Sequence, residues 1–162
     1  MSRHRPLLDF GCEEWDHIFQ VNLRAVFLMS RGLARGMIEQ GGGKIVNISS
    51  NATFYGTPDS GPYAASKAGV NQLTKTMAIE WGRHNIQVNA ICPTITMTDL
   101  GKRVWDDPQL AEMRSRLVSK IPLGRFLEPE EIAPLVLFLA GPSSQFINGA
   151  IIPIDGGGQH SP

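Results

Sequence analysis

Three times along 162 residues a stretch with helical periodicity gives way to a short apolar, β-branched run, and no other feature of the chain restricts its fold as much. Asp9 to Gln40 reads as a helix with Trp15, Phe19, Asn22, Val26 and Leu33 near one face. Gly41-Gly42-Gly43 ends it, and Lys44 to Ile48 follows as a strand. Pro62 opens a second helix that runs through Trp81, with Val70, Leu73, Met77 and Trp81 as its apolar stripe. On another side Ala64, Ala65, Ala68 and Gly69 are small enough to admit a neighbouring helix closely. Ile86 to Ile91 is a second strand, stopped by Pro93. Thr98 to Lys120 is charged and partly helical. A third helix runs from the acidic turn at Glu128 through Ala140, with Pro134 placed to shift its start or kink it. Ala150 to Ile154 closes the series as a strand that Pro153 assigns to a sheet edge. This rhythm predicts an α/β domain over residues 1–162 with a parallel sheet, ligands gathering at the carboxyl ends of its strands.

Composition excludes several classes of function. Lys plus Arg equals Asp plus Glu, 15 each, so there is no field to attract nucleic acid or anionic lipid. Arg3-His4-Arg5 reads as a solvated terminus. Cys12 and Cys92 form no disulfide framework, and the four histidines lack metal-ligand spacing, so no metal site is expected. No apolar run reaches the ~18 residues of a membrane span. The expectation is a cytoplasmic protein with reduced thiols.

Few residues could carry chemistry. Tyr63 and Lys67 are four apart and share a helix face. A phenol titrates near pH ~10 in water, and a nearby ammonium favours the phenolate, so such a pair can exchange a proton with a hydroxyl or carbonyl. Taken alone, the same spacing commonly marks a half-exposed aromatic beside a solvated lysine. Ser50 follows the first strand and can reach a substrate oxygen, although Ser49 and Ser50 also suit turn or cap positions. Neither serine lies in a Gly-x-Ser-x-Gly elbow, which argues against a hydrolase. Asn22, on the apolar stripe of the first helix, is either a structural amide or part of a site.

In order, Ile45-Val-Asn-Ile-Ser-Ser50, Tyr63-Ala-Ala-Ser-Lys67-Ala-Gly and Asn85-Ile-Gln-Val-Asn-Ala-Ile-Cys-Pro93 resemble the short-chain dehydrogenase/reductase family. So do Pro122-Leu-Gly-Arg125, Glu130-Glu-Ile-Ala133 and Phe146-Ile-Asn-Gly149 to Asp155-Gly-Gly157. The resemblance implies a partial Rossmann-like parallel sheet with flanking helices and hydride transfer between NAD or NADP and a secondary alcohol or ketone, such as a sugar acid, polyol or ketoacyl compound. It implies that Tyr63 exchanges the proton, that Lys67 favours its phenolate and holds the nicotinamide ribose, and that Ser50 orients the substrate oxygen. Asn22 would support a proton-relay water. Pro93 to Ile95, with Thr98, would contact the nicotinamide, and Asp99 to Lys120 would form a mobile lid. It also implies a homo-oligomer, dimer or tetramer, with a small-molecule substrate and neither nucleic acid nor membrane as partner.

Two departures qualify these expectations. The family's first strand and glycine-rich pyrophosphate turn have no counterpart, because Gly41 to Gly43 precede a strand and Gly156 to Gly158 open no helix. The expectation is therefore a truncated catalytic portion, with the sheet edge beside Ile45 to Ile48 unpaired, lower stability and a tendency to associate. The alternative is a non-catalytic subunit that associates with related chains. Thr94 replaces the glycine usual after the proline, which would be strained at positive φ.

Overall fold

The computed structural model describes residues 5–160. Three parallel strands, β1 (Gly43–Ile48), β2 (Ile86–Pro93) and β3 (Ile151–Ile154), lie in the order β1-β2-β3. Gly43 pairs with Ile86 and Ile48 with Ile91; Ala90 pairs with Ile151 and Pro93 with Ile154. Both expected edges follow from this order. β3 is an outer strand that tolerates Pro153, and β1 has no second strand partner among the described residues. β2 runs two residues further than predicted. Pro93 ends it without breaking it, because proline lacks only the N–H of the last ladder position.

The helices are α1 (Cys12–Phe19), α2 (Ala25–Glu39), α3 (Gly61–Trp81), α4 (Asp99–Trp105), α5 (Ala111–Val118) and α6 (Ala133–Ala140). The core beneath the sheet joins Ala34, Ile45, Met77, Ala78, Ile86 and Val88, with Met37, Leu73 and Trp81 packed against it. α3 begins at Gly61 with Pro62 in its first turn. Its Gly69 is where the expected close helix approach occurs, since a Cβ there would lie 2.8 Å from Leu23 Cδ2. Ala65 and Ala68 remain exposed.

The first helix departs from its predicted form. A π-helical turn, Gln20–Arg24, separates α1 from α2, and the buried residues are Ile18, Asn22, Ser30 and Ala34. Trp15 and Leu33, assigned to the buried stripe, are exposed. Steps of four residues drift by about 40° each around an ideal helix. The wider π turn takes up part of that drift and returns Asn22 to the interior. The helix predicted from Glu128 begins instead with a short 3-10 turn, Pro129–Glu131, and α6 starts at Ala133, with Pro134 in its first turn. Arg5 is not merely solvated: it pairs with Glu14 at 3.4 Å and lies over the Phe10 ring. Arg3 and His4 lie outside the described residues.

Two asparagines that periodicity could not explain hold β2 to its surroundings. Asn89, 1% exposed, donates to Ile147 O and accepts from Ala150 N, both at 2.9 Å. Asn148 accepts from Val88 N and donates to Ala78 O. Asn89→Leu would leave a carbonyl and an N–H buried without partners, an expected loss of about 2–4 kcal/mol. Urea unfolding checks this, and a change below about 0.5 kcal/mol would show that Asn89 is replaceable.

Candidate active site

Tyr63 and Lys67 lie near the start of α3, and Lys67 reaches back to the end of β1, which Ser50 follows by two residues. α3 carries Tyr63 and Lys67 on one face because they are four residues apart. The Lys67 Nζ turns back to donate to Ile48 O at 2.9 Å and lies 6.0 Å from the centre of the Tyr63 ring. Ser49 Oγ donates to Lys67 O at 3.1 Å, tying the strand end to the helix from the other direction. Burial pushes the Lys67 pKa below its ordinary value, with Cys92 opposing. Lys67 is therefore a half-buried ammonium aimed at the carboxyl end of the sheet, not a solvated lysine.

Ser50 is itself buried, and its Oγ accepts from Ala52 N at 3.2 Å, which leaves the hydroxyl proton for another acceptor. The Tyr63 hydroxyl bonds to no described residue. Asn22 reaches this site at one remove: its Nδ2 donates to Ser66 Oγ at 3.1 Å, and Ser66 Oγ donates to Tyr63 O at 2.7 Å. Nothing in the sequence singled out Ser66, whose link to Asn22 crosses 44 residues. Tyr55 was also missed. Its hydroxyl accepts from Asn51 Nδ2 at 2.7 Å, and burial, with Asp155 adding to it, pushes its pKa up. Tyr55 is consequently a hydrogen-bonding group rather than a base.

Pro93, Thr94 and Ile95 continue from the end of β2. Thr94 does not have positive φ, so the expected strain is absent; its N–H donates to Ile154 O at 3.0 Å. The N–H groups of Ile95 and Thr96, at the carboxyl end of the sheet, donate to no described residue. Thr98 is exposed and caps α4, its Oγ1 accepting from Gly101 N at 3.2 Å. Its hydroxyl retains a proton to donate. Donors of this kind are the chemistry that a nicotinamide carboxamide needs. No strand-to-helix glycine turn for a pyrophosphate occurs among the described residues. Those residues also contain no group of three or more His, Cys, Asp or Glu able to hold a metal ion.

The segment expected as a lid folds as α4 and α5 over a small core of Met97, Ile121 and Phe126, with Trp105, Leu117 and Val118 packed against it. A Cβ at Gly101 would collide with the Thr96 carbonyl. Gly101→Ala should therefore displace α4 and weaken nicotinamide binding by about 5- to 100-fold, the effect of about 1–3 kcal/mol of overpacking. Calorimetric titration reads it, and unchanged affinity would detach α4 from the site. Beyond this segment Arg125 donates twice to Glu131, at 2.7 and 2.6 Å, and Glu131 also accepts from Glu128 N. The Arg125 hydrogen bonds hold the Glu131 carboxyl at about 2, below the ordinary 4.5. A depressed carboxylate contributes stability above its ordinary pKa and loses it as pH falls through the folded value. The pair should persist in acid until about pH 2. Carbon-detected titration of the Glu131 carboxyl tests this, and a midpoint near 4.5 would refute it.

The family model described as enoyl-(acyl carrier protein) reductase matches residues 1–159. The chain belongs to the short-chain dehydrogenase/reductase family. It is 43% identical over 154 residues to L-xylulose reductase of Bos taurus, covering 94% of this chain and 62% of that protein. It is 45% identical over 157 residues to a 3-oxoacyl-(acyl-carrier-protein) reductase of Thermotoga maritima, covering 97% and 62%. Among solved structures, gluconate 5-dehydrogenase of Burkholderia cenocepacia, in complex with NADP and tartrate, superposes with a TM-score of 0.94 at 36% identity, covering 100% of this chain and 62% of that one. The chain thus spans about 62% of the length of these relatives. No helix among the described residues is long and apolar enough to cross a membrane.

Proposed function

We propose that the chain carries the proton-transfer and nicotinamide-contacting part of an NAD(P)-dependent oxidoreductase acting on a secondary alcohol or ketone. The observation that supports this most is the Lys67 ammonium, held by Ile48 O one helical turn from Tyr63. When bound, the nicotinamide supplies or accepts the hydride. In reduction, the Tyr63 hydroxyl gives its proton to the substrate oxygen as negative charge develops there, and in oxidation it takes the proton back. Ser50 donates its uncommitted hydroxyl proton to the same oxygen and fixes its position. Lys67 stabilises the phenolate left on Tyr63 and offers a further N–H to a ribose hydroxyl. Asn22, through Ser66, holds the first turn of α3 and so the direction of Tyr63. The amides of Ile95 and Thr96, with the Thr98 hydroxyl, suit a carboxamide.

The names of the relatives favour a polyhydroxylated or ketoacyl substrate, because L-xylulose reductase, D-threitol dehydrogenase, gluconate 5-dehydrogenase and a 3-oxoacyl-(acyl-carrier-protein) reductase are among them. A polyol or sugar ketone presents several hydroxyls, and Asn51, next to Ser50 in the chain and bonded to Tyr55, is placed to receive one. We also propose a homo-oligomer in a reducing cytoplasm. Ile79, Leu137 and Phe146, each more than two-thirds exposed, provide apolar surface for association. Steady-state assay with NADH and NADPH against xylulose, 5-ketogluconate and a 3-oxoacyl thioester tests the function. Saturable oxidation of the reduced cofactor with one of them supports it. No turnover with any, at millimolar cofactor, leaves the associating, non-catalytic subunit as the reading.

A further inference from the structure

We propose that Thr53 and Asn71, with Cys92 fixing the amide of Asn71, are positioning residues that hold Ser50 in place for its substrate. The proposal deepens the function given above and rests on it. Ser50 O accepts from Thr53 Oγ1 at 2.8 Å, Thr53 Oγ1 accepts from Asn71 Nδ2 at 2.9 Å, and Asn71 Oδ1 accepts from Cys92 Sγ at 3.7 Å. Four residues from three separate stretches of the chain thereby form one line from the end of β2 to the Ser50 loop.

With Thr53 donating to Ser50 O, proton counting orders the rest of the line. A carbonyl cannot donate, so the proton between Thr53 and Ser50 belongs to the Thr53 hydroxyl. The Thr53 oxygen can then only accept from Asn71, which turns the amide nitrogen toward Thr53 and the amide oxygen toward Cys92. The Cys92 sulfur must in turn carry a proton to donate. Cys92 is 0% exposed, and its burial pushes the thiol pKa up against hydrogen bonds with Ser49, Ser50, Thr53 and Asn71 that favour the thiolate, so the thiol keeps its proton. Asn71 also stands four residues beyond Lys67 and eight beyond Tyr63, on the stripe of α3 that carries both. The amide that steadies the Ser50 loop is therefore rigidly linked to the phenol and the ammonium. A loop free to drift would misplace the hydroxyl relative to the substrate oxygen, and small misplacements are costly in such sites.

Thr53→Val removes the hydroxyl at nearly constant shape, and Thr53→Ser restores it. The readout is hydrogen exchange of the Ala52 amide, which Ser50 Oγ holds, measured by NMR on the whole chain. Thr53→Val should accelerate that exchange about tenfold, the loss of roughly one net hydrogen bond, while the amides of Lys67 to Val70 keep their rates. Thr53→Ser should return Ala52 to its original rate. Cys92→Ser, which keeps a donor, and Cys92→Val, which does not, pose the same question from the far end and serve if Thr53→Val does not fold. In steady state, the variants lacking the donor should lose kcat with the KM for cofactor unchanged. Unaltered Ala52 exchange in both valine variants, or failure of both serine variants to restore it, would overturn the proposal. Absence of turnover in the parent chain would instead sink the function proposed above, and the exchange rates would still decide this one.

Discussion

Tyr63→Phe should lower turnover of a ketone substrate by about 10²–10⁴-fold, the usual contribution of a positioned general acid. Removing one oxygen leaves the ring, and with it the packing at the start of α3, in place. The Ser66 Oγ donates to the Tyr63 carbonyl rather than to its side chain, so the link to Asn22 survives the change. The loss should therefore fall on kcat, while cofactor affinity holds within about a factor of three, less than the contribution of one net hydrogen bond. Parallel measurement of initial rates and cofactor titration separates the two. Equal kcat in parent and variant would remove Tyr63 from the chemistry.

Lys67→Met should lower turnover by about 10²-fold or more and change how both rate and stability depend on pH. Burial lowers the pKa of Lys67 in the folded chain from the ordinary 10.5. The folded state then binds this proton less tightly than the unfolded state does. The cost of the buried charge is fully present below the folded value, shrinks as pH rises through the interval, and is gone above 10.5. Thermal melts of the parent should thus improve across that alkaline interval relative to those of Lys67→Met, which has no charge to lose. The rate follows the opposite sense: deprotonation of Lys67 removes the cation that stabilises the phenolate, so the parent has an alkaline limb that the variant lacks. A variant profile that keeps the limb would assign it to another group.

The alternation of helices and strands was legible because it depends on local periodicity and on glycine and proline at the joints. Gly41-Gly42-Gly43, Pro62 and Pro153 each did what their backbone chemistry requires. Tyr63, Lys67 and Ser50 could be named because an ordered set of motifs surrounds them; the four-residue spacing alone carried little. What stayed hidden depends on contacts between distant stretches. The π turn at Gln20–Arg24 moved the buried face from Trp15 and Leu33 to Ile18, Ser30 and Ala34, and only the packing of Leu23 against Gly69 reveals why the helix runs there. Asn89 and Asn148 look like polar interruptions until their partners 58 to 70 residues away are seen. Thr53, Asn71 and Cys92 were invisible for the same reason: each is ordinary in its own segment. Thr94 differs from the glycine expected by resemblance, yet its backbone needs no positive φ.

The most direct test uses half of the cofactor. Reduced nicotinamide mononucleotide contains the ring, its carboxamide and one ribose phosphate, the portion proposed to contact Tyr63, Lys67 and residues 93–98. Its fluorescence, titrated against the chain, should rise to saturation and lose that saturation in Lys67→Met. A signal that stays linear in the parent, or saturates equally in both proteins, would contradict the assignment of this cluster to the nicotinamide.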